Sequence, residues 1–128
     1  MIVNRRSAIR QLLFVSAGIA ILPACVQDDK SKASVLLKNM KLSGAQEKML
    51  EELTETIIPA TDTPGAKAIY AHLFVLKMMD DCHSGKDQEE FMKGMDLFER
   101  KTKNELGKPF VEAGQADREK WIAALEKA

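Results

Sequence analysis

Residues 43–66 read SGAQEKMLEELTETIIPATDTPGA, and this stretch decides the fold class. It opens with Ser43 and, three residues later, Gln46, the pattern of a capping box at a helix start. Apolar residues then recur at spacings of three and four, the period of an amphipathic helix: Met49, Leu50, Leu53 and Ile57. Pro59 disfavours helical backbone at the residue before it. The stretch therefore predicts a helix that starts at Ser43 and stops at Pro59.

The second part of the stretch predicts a defined loop. Residues 58–65 read IPATDTPG, with two prolines and a glycine that restrict the backbone. Within it, Asp62 is expected to brace a turn. Thr63 followed by Pro64 is typical of an N-cap and a first helical position. We therefore expect a second helix from about Pro64 to Asp81, with these apolar positions in the core: Ile69, Leu73, Leu76 and Met79.

Two further helices are expected downstream. After a turn at residues 82–86, helical spacing predicts a third helix over about 87–106, ended by Gly107 and Pro109. Its core stripe is Phe91, Met95, Phe98 and Thr102. The fourth helix covers about 115–127 and buries Trp121, Ile122 and Leu125. No alternating pattern indicates a strand, so the fold class is all-α, a small bundle of four helices over residues 42–128. No Gly, Pro or polar tail ends the fourth helix, which suggests that the chain is truncated or that a partner covers the apolar face of this helix.

The first 24 residues predict a twin-arginine signal peptide. Arg5 and Arg6 lie in the basic segment NRRSAIR (residues 4–10), which resembles the twin-arginine motif. The apolar run at residues 12–24 is too short to span a bilayer and is typical of a signal peptide. We therefore expect export from the cytoplasm to the periplasm by the twin-arginine translocase.

The signal ends in LPAC at residues 22–25, which resembles a lipobox. This predicts a lipid on Cys25 that anchors the protein to a membrane, because each buried methylene contributes roughly 0.8 kcal/mol. An ordinary signal cleaved near Ala24 is the alternative. Residues 25–41 then form a polar tether, flexible at least up to Ser34. Lipidation leaves Cys82 as a lone thiol, a candidate for a disulfide to another subunit.

Composition and motifs limit the function classes. Removing the signal leaves 16 basic and 19 acidic residues, a net charge of −3 without a basic stripe, which argues against nucleic-acid binding. Phosphate-binding loops, nucleophile elbows and haem attachment motifs are missing from the sequence. The cluster Asp80-Asp81-Cys82-His83 offers metal-ligand types, but four adjacent residues converge poorly on one ion. We expect His72 to be a satisfied, partly buried histidine, and no residue to be catalytic.

The sequence resembles the gluconate 2-dehydrogenase subunit 3 family, the small subunits of membrane-bound sugar and polyol dehydrogenases. The most specific segment is IIPATDTPGA at residues 57–66, supported by these downstream positions: Phe91, Gly94, Met95, Phe98, Phe110, Arg118 and Leu125. The resemblance transfers no catalytic residue. It marks Pro59, Asp62, Pro64 and Gly65 as a family-signature loop, structural or at a subunit contact.

The resemblance implies a role inside a complex. In such complexes a large flavoprotein subunit binds FAD and oxidises the sugar, and a cytochrome c subunit with haem takes the electrons. The small subunit carries no cofactor and provides the export signal that its partner lacks. The alternative function is a stand-alone exported helical lipoprotein that binds an envelope partner or a ligand, and an enzyme based on the Asp80–His83 cluster is the third.

Overall fold

The computed structural model describes residues 32–128, which fold into four helices with no β-strand in that range. Helix α1 covers Gly44–Ile57, α2 Ala71–Cys82, α3 Gly85–Leu106 and α4 Gln115–Lys127, with a 3₁₀ turn at Phe110–Glu112 before α4. The all-α bundle is thus confirmed. The predicted signal, Arg5, Arg6 and Cys25 lie outside the described residues.

Helix α1 begins as its sequence predicts. Gln46 donates its backbone N–H to Ser43 Oγ at 3.2 Å, and Ser43 N–H donates to Gln46 Oε1 at 3.0 Å. This reciprocal capping box satisfies donors that a helix start otherwise leaves unpaired. A second capping box, between Ser84 and Asp87, opens α3 at Gly85, two residues earlier than expected. Gly107 ends α3 at φ 71°, the left-handed conformation that glycine adopts without strain.

The second helix begins at Ala71, so the expected start at Pro64 is wrong. The backbone N–H groups of the first turn of such a helix bond to other parts of the chain. Ala66 N–H bonds to Ile58 O at 2.9 Å, and Lys67 N–H bonds to the Glu55 carboxylate at 2.7 Å. Tyr70 then adopts φ 55°, ψ 38°, which breaks any continuous helix into α2. The Thr63 hydroxyl caps no helix and lies 3.4 Å from that of Thr61.

The core joins all four helices. Its buried apolar members are Met40, Met49, Leu50, Leu76, Met95 and Phe110. Phe110 packs edge-to-face on Phe98, with ring centroids 5.1 Å apart. The buried Thr102 hydroxyl donates to Phe98 O at 2.8 Å and accepts from Trp121 Nε1 at 2.8 Å, which ties α4 to α3. Two expected core residues are exposed instead, Ile57 at 61% and Ile69 at 66%. Ile57 is the last residue of α1, and Ile69 precedes the start of α2.

Residues 32–42, here called the strap, lie on the bundle before α1. Asp80, 1% exposed, accepts backbone N–H bonds from Lys38 at 2.6 Å and from Asn39 and Met40 at 2.9 Å. Glu47 accepts from the backbone N–H of Ser34 at 2.5 Å and from its hydroxyl. The described part of the expected tether is therefore attached to the domain, because two carboxylates on the helices satisfy its backbone.

Candidate partner-binding surface

The signature loop is built around the carboxylate of Glu55. One oxygen accepts from Ala60 N–H at 3.1 Å and the other from Lys67 N–H at 2.7 Å. A Cβ added to Gly65 would lie 2.5 Å from Ala60 N and 2.5–2.6 Å from both carboxylate oxygens. Only glycine permits this approach, and its φ is ordinary, so the requirement is space rather than backbone freedom. The loop is therefore a fixed part of the domain.

An ionic network links the loop to the end of the chain. The Glu52 carboxylate contacts Lys67 Nζ at 2.5 Å and Arg118 Nη1 at 2.7 Å. Burial alone raises the pKa of Glu52, but the hydrogen bonds from these two cations outweigh it and lower that pKa. Arg118 also donates to Phe110 O at 2.9 Å and to Val111 O at 2.6 Å, and it stacks 5.2 Å above the Phe110 ring. One guanidinium thus holds α1, the 3₁₀ turn and α4 together.

The loop and α2 present an unusual apolar surface to solvent. Of the nine large hydrophobic residues exposed within residues 32–128, six fall between residues 57 and 78. We call these six the apolar surface: Ile57, Ile58, Ile69, Tyr70, Phe74 and Met78. Phe74 and Met78 are four residues apart and so lie along one side of α2, and Tyr70 is the N-cap residue just before that helix. Phe74 is 68% exposed and Tyr70 64%. Large exposed apolar patches of this kind mark sites of contact with other molecules.

The signature residues lie beside this surface, but they do not converge on a reactive centre. Pro59, Asp62 and Pro64 are exposed, and Gly65 is buried against Glu55. Asp62 accepts a bond from the neighbouring Thr61 hydroxyl at 3.0 Å, an exposed contact between two side chains, so its expected role in bracing the turn stays a prediction. The loop therefore shapes the apolar surface and contributes little polar chemistry to it.

The Asp80–His83 cluster is divided by the fold. Asp80 is buried under the strap, where burial alone raises its pKa but the three backbone donors lower it overall. Cys82 is an exposed free thiol at the end of α2, so its predicted disulfide to another subunit stays a prediction. Across residues 32–128, no three His, Cys, Asp or Glu side chains are grouped so as to hold a metal ion.

His72 differs from the expected satisfied histidine. It is 4% exposed, its Nδ1 has no hydrogen-bond partner, and its Nε2 lies 3.9 Å from Glu47 Oε1. Together with the strap it borders a cleft of about 220 Å³. The sequence gives no signal for this pairing, because Glu47 is 25 residues away and has the pattern of an ordinary surface acid on α1.

These features define a class of protein: a small helical domain whose prominent surface is apolar and suited to contact with another macromolecule. The chain belongs to the gluconate 2-dehydrogenase subunit 3 family, whose model matches residues 44–128, the helical domain from the first residue of α1. It has no significant match among curated proteins and none among solved structures. None of the helices within residues 32–128 has the length and apolar character needed to cross a membrane.

Proposed function

We propose that this chain is the non-catalytic small subunit of a periplasmic, membrane-associated, flavin-dependent sugar or alcohol dehydrogenase. In this proposal it stabilises the catalytic flavoprotein and escorts it through twin-arginine export. The observation that carries the proposal is the family match over the whole helical domain. FAD would belong to the large partner, and haem to a cytochrome c subunit.

The apolar surface is the proposed contact with the flavoprotein. Phe74 on α2 and Tyr70 at its N-cap are both largely exposed. Burying a side chain of this size contributes about 1.5–3 kcal/mol. Exposed aromatic residues of this kind often dominate binding energy at interfaces. The Glu55 carboxylate fixes the neighbouring loop, so little conformational entropy is lost on binding.

Export and anchoring complete the proposal. Arg5 and Arg6 would direct the folded pair to the twin-arginine translocase, and a lipid on Cys25 would hold the complex at the membrane surface. Because that route transports folded proteins, the flavoprotein would load its flavin and bind this subunit before export.

Co-purification tests the contact. The tagged full chain is isolated from membranes of its native host, and co-purifying proteins are identified by mass spectrometry and flavin absorbance. We expect a large flavoprotein with the wild-type chain and at least about tenfold less with Phe74→Asp. The matched control is Leu97→Asp, a 40% exposed residue on α3, which should leave recovery unchanged.

Two outcomes would contradict the contact. Equal recovery with Phe74→Asp would remove the apolar surface from the interface. Absence of any flavoprotein with the wild-type chain would favour the stand-alone lipoprotein instead.

A second experiment tests the escort role. Replacing Arg5 and Arg6 with lysine should leave the flavoprotein folded but in the cytoplasm, measured as dehydrogenase activity in each cell fraction. Periplasmic activity equal to that of the wild type would refute the escort role while leaving the subunit contact intact.

A further inference from the structure

The strap differs from the rest of the domain in charge. From Lys32 to Gln46 the sequence contains three lysines and no acidic residue. Lys32, Lys38 and Lys41 are all exposed, and none of them forms an ion pair within residues 32–128. The acidic side chains that contact the strap, Glu47 and Asp80, are buried beneath it. The outer side of the strap is therefore positively charged.

Leu36 lies in the middle of this positive segment. It is 90% exposed, the highest value among the exposed large hydrophobic residues of the described chain. Its neighbours Val35 and Leu37 pack against the core, so the alternation directs Leu36 outward. A single exposed leucine is ordinary, but apolar side chains flanked by lysines are also a feature of segments that lie on membrane surfaces.

The strap holds Leu36 in place before any partner binds. Ser34 is bonded to Glu47 on one side of it, and Lys38 to Asp80 on the other. Because these carboxylates already order the backbone, presenting Leu36 costs little additional conformational entropy.

The strap also lies where a membrane would be close. Lys32 follows Cys25 by seven residues. At about 3.5 Å per residue, the distance between these two residues is at most about 25 Å. If Cys25 carries the lipid of the proposed function, on which this step rests, the strap cannot lie far from the bilayer.

We propose that the strap is a membrane-contact site, in which Leu36 enters the interfacial region and Lys32, Lys38 and Lys41 bind anionic lipid headgroups. The family match begins at Gly44, so the strap precedes the matched region, whereas the whole apolar surface lies inside it. The two surfaces accordingly serve different partners, the strap a lipid surface and the apolar surface a protein.

A site-specific fluorescence experiment tests the contact. In the full chain carrying Cys25→Ser and Cys82→Ser, an environment-sensitive fluorophore is attached at Leu36→Cys or, as the matched control, at Glu89→Cys on α3. Both proteins share the same N-terminal segment, so its own affinity for lipid affects both equally. Each is titrated with phosphatidylglycerol vesicles and with phosphatidylcholine vesicles.

We expect a blue shift only at position 36 and only on phosphatidylglycerol. A lysine near an anionic surface strengthens binding about fivefold, so Lys→Gln at positions 32, 38 and 41 together should weaken strap docking about 100-fold. The position 36 signal should then fall to the level of the control. Raised salt should weaken it in the same direction.

Three results would overturn the proposal: no shift at position 36, equal shifts at both positions, or equal shifts on both lipids. Quenching of the label by a co-purified flavoprotein in lipid-free buffer would assign the strap to a protein partner and also refute it. The vesicle measurement requires no dehydrogenase, so its result is independent of whether the proposed subunit role is correct.

Discussion

Replacing Gly65 with alanine should be among the most damaging single-methyl changes in the domain. The added Cβ would lie 2.5 Å from Ala60 N and 2.5–2.6 Å from both oxygens of Glu55, closer than non-bonded atoms allow. Both the backbone at Ala60 and the Glu55 carboxylate must therefore move. The bonds of the carboxylate to Ala60 N–H and Lys67 N–H are then lost.

The expected cost follows from those two bonds. A hydrogen bond to a charged group contributes about 1.5–3 kcal/mol, and the exposure of Ala60 favours the lower figure, so we expect a loss of about 3 kcal/mol in the free energy of unfolding. Gly94→Ala is the matched control, since a Cβ there meets nothing within 4 Å and the site lies inside α3. It should stabilise the domain by about 0.5–1 kcal/mol through helix propensity.

Urea denaturation followed by Trp121 fluorescence and by helical circular dichroism measures both variants. With a slope of about 1–2 kcal/mol/M, the midpoint of Gly65→Ala should fall by about 2 M. In a Glu55→Ala background the same methyl should cost less, because the hydrogen bonds of the carboxylate are already gone and only the clash with Ala60 N remains. A Gly65→Ala midpoint equal to that of the wild type, or to that of Gly94→Ala, would refute the role assigned to the carboxylate.

Three further predictions concern buried charge. Arg118→Lys should lower the free energy of unfolding by about 2–4 kcal/mol, because an ammonium cannot reach Glu52 and two carbonyls together; a midpoint unchanged in urea would contradict this. Asp80→Asn should speed amide hydrogen exchange at Met40 without unfolding α1, and unchanged protection there would show that the carboxylate does not hold the strap. Glu52 and Asp80 both have lowered pKa values in the folded state, so their stabilisation is complete above their ordinary values of 4.5 and 3.8 and is lost as pH falls through the folded values. The urea midpoint should therefore decrease as the pH is lowered from 7 to 3. A midpoint that increases below pH 4 would contradict this prediction.

Local sequence signals predicted the helices well where the determining residues are neighbours. The capping box at Ser43, the stop at Pro59 and the glycine end at Gly107 were all readable, because each depends on contacts within four residues. The Ser84–Asp87 capping box is an equally local signal, and it starts α3 inside the segment predicted to be a turn. The second helix starts later than predicted because Lys67 N–H bonds to Glu55 on α1 and Ala66 N–H bonds to Ile58 O just after it.

The candidate surface was only partly predictable. Helical spacing predicted part of the core side of α2, since Leu76 is buried and Met79 packs against the core. The polar residues His72 and Asp80 are buried on α2 as well, because α1 and the strap pack against them.

The sequence by itself determined the class of fold, the family and the rigidity of the loop at residues 58–65, because capping, helical period and the Pro–Gly spacing act over short distances. Only the tertiary structure decided how the carboxylates are used. Glu55 closes the loop, Glu52 pairs with Arg118 66 residues away, and Asp80 holds the strap across about 40 residues. An acidic side chain on a helix looks the same in sequence whether it faces water or a backbone donor. The position of that donor depends on the packing of the whole chain.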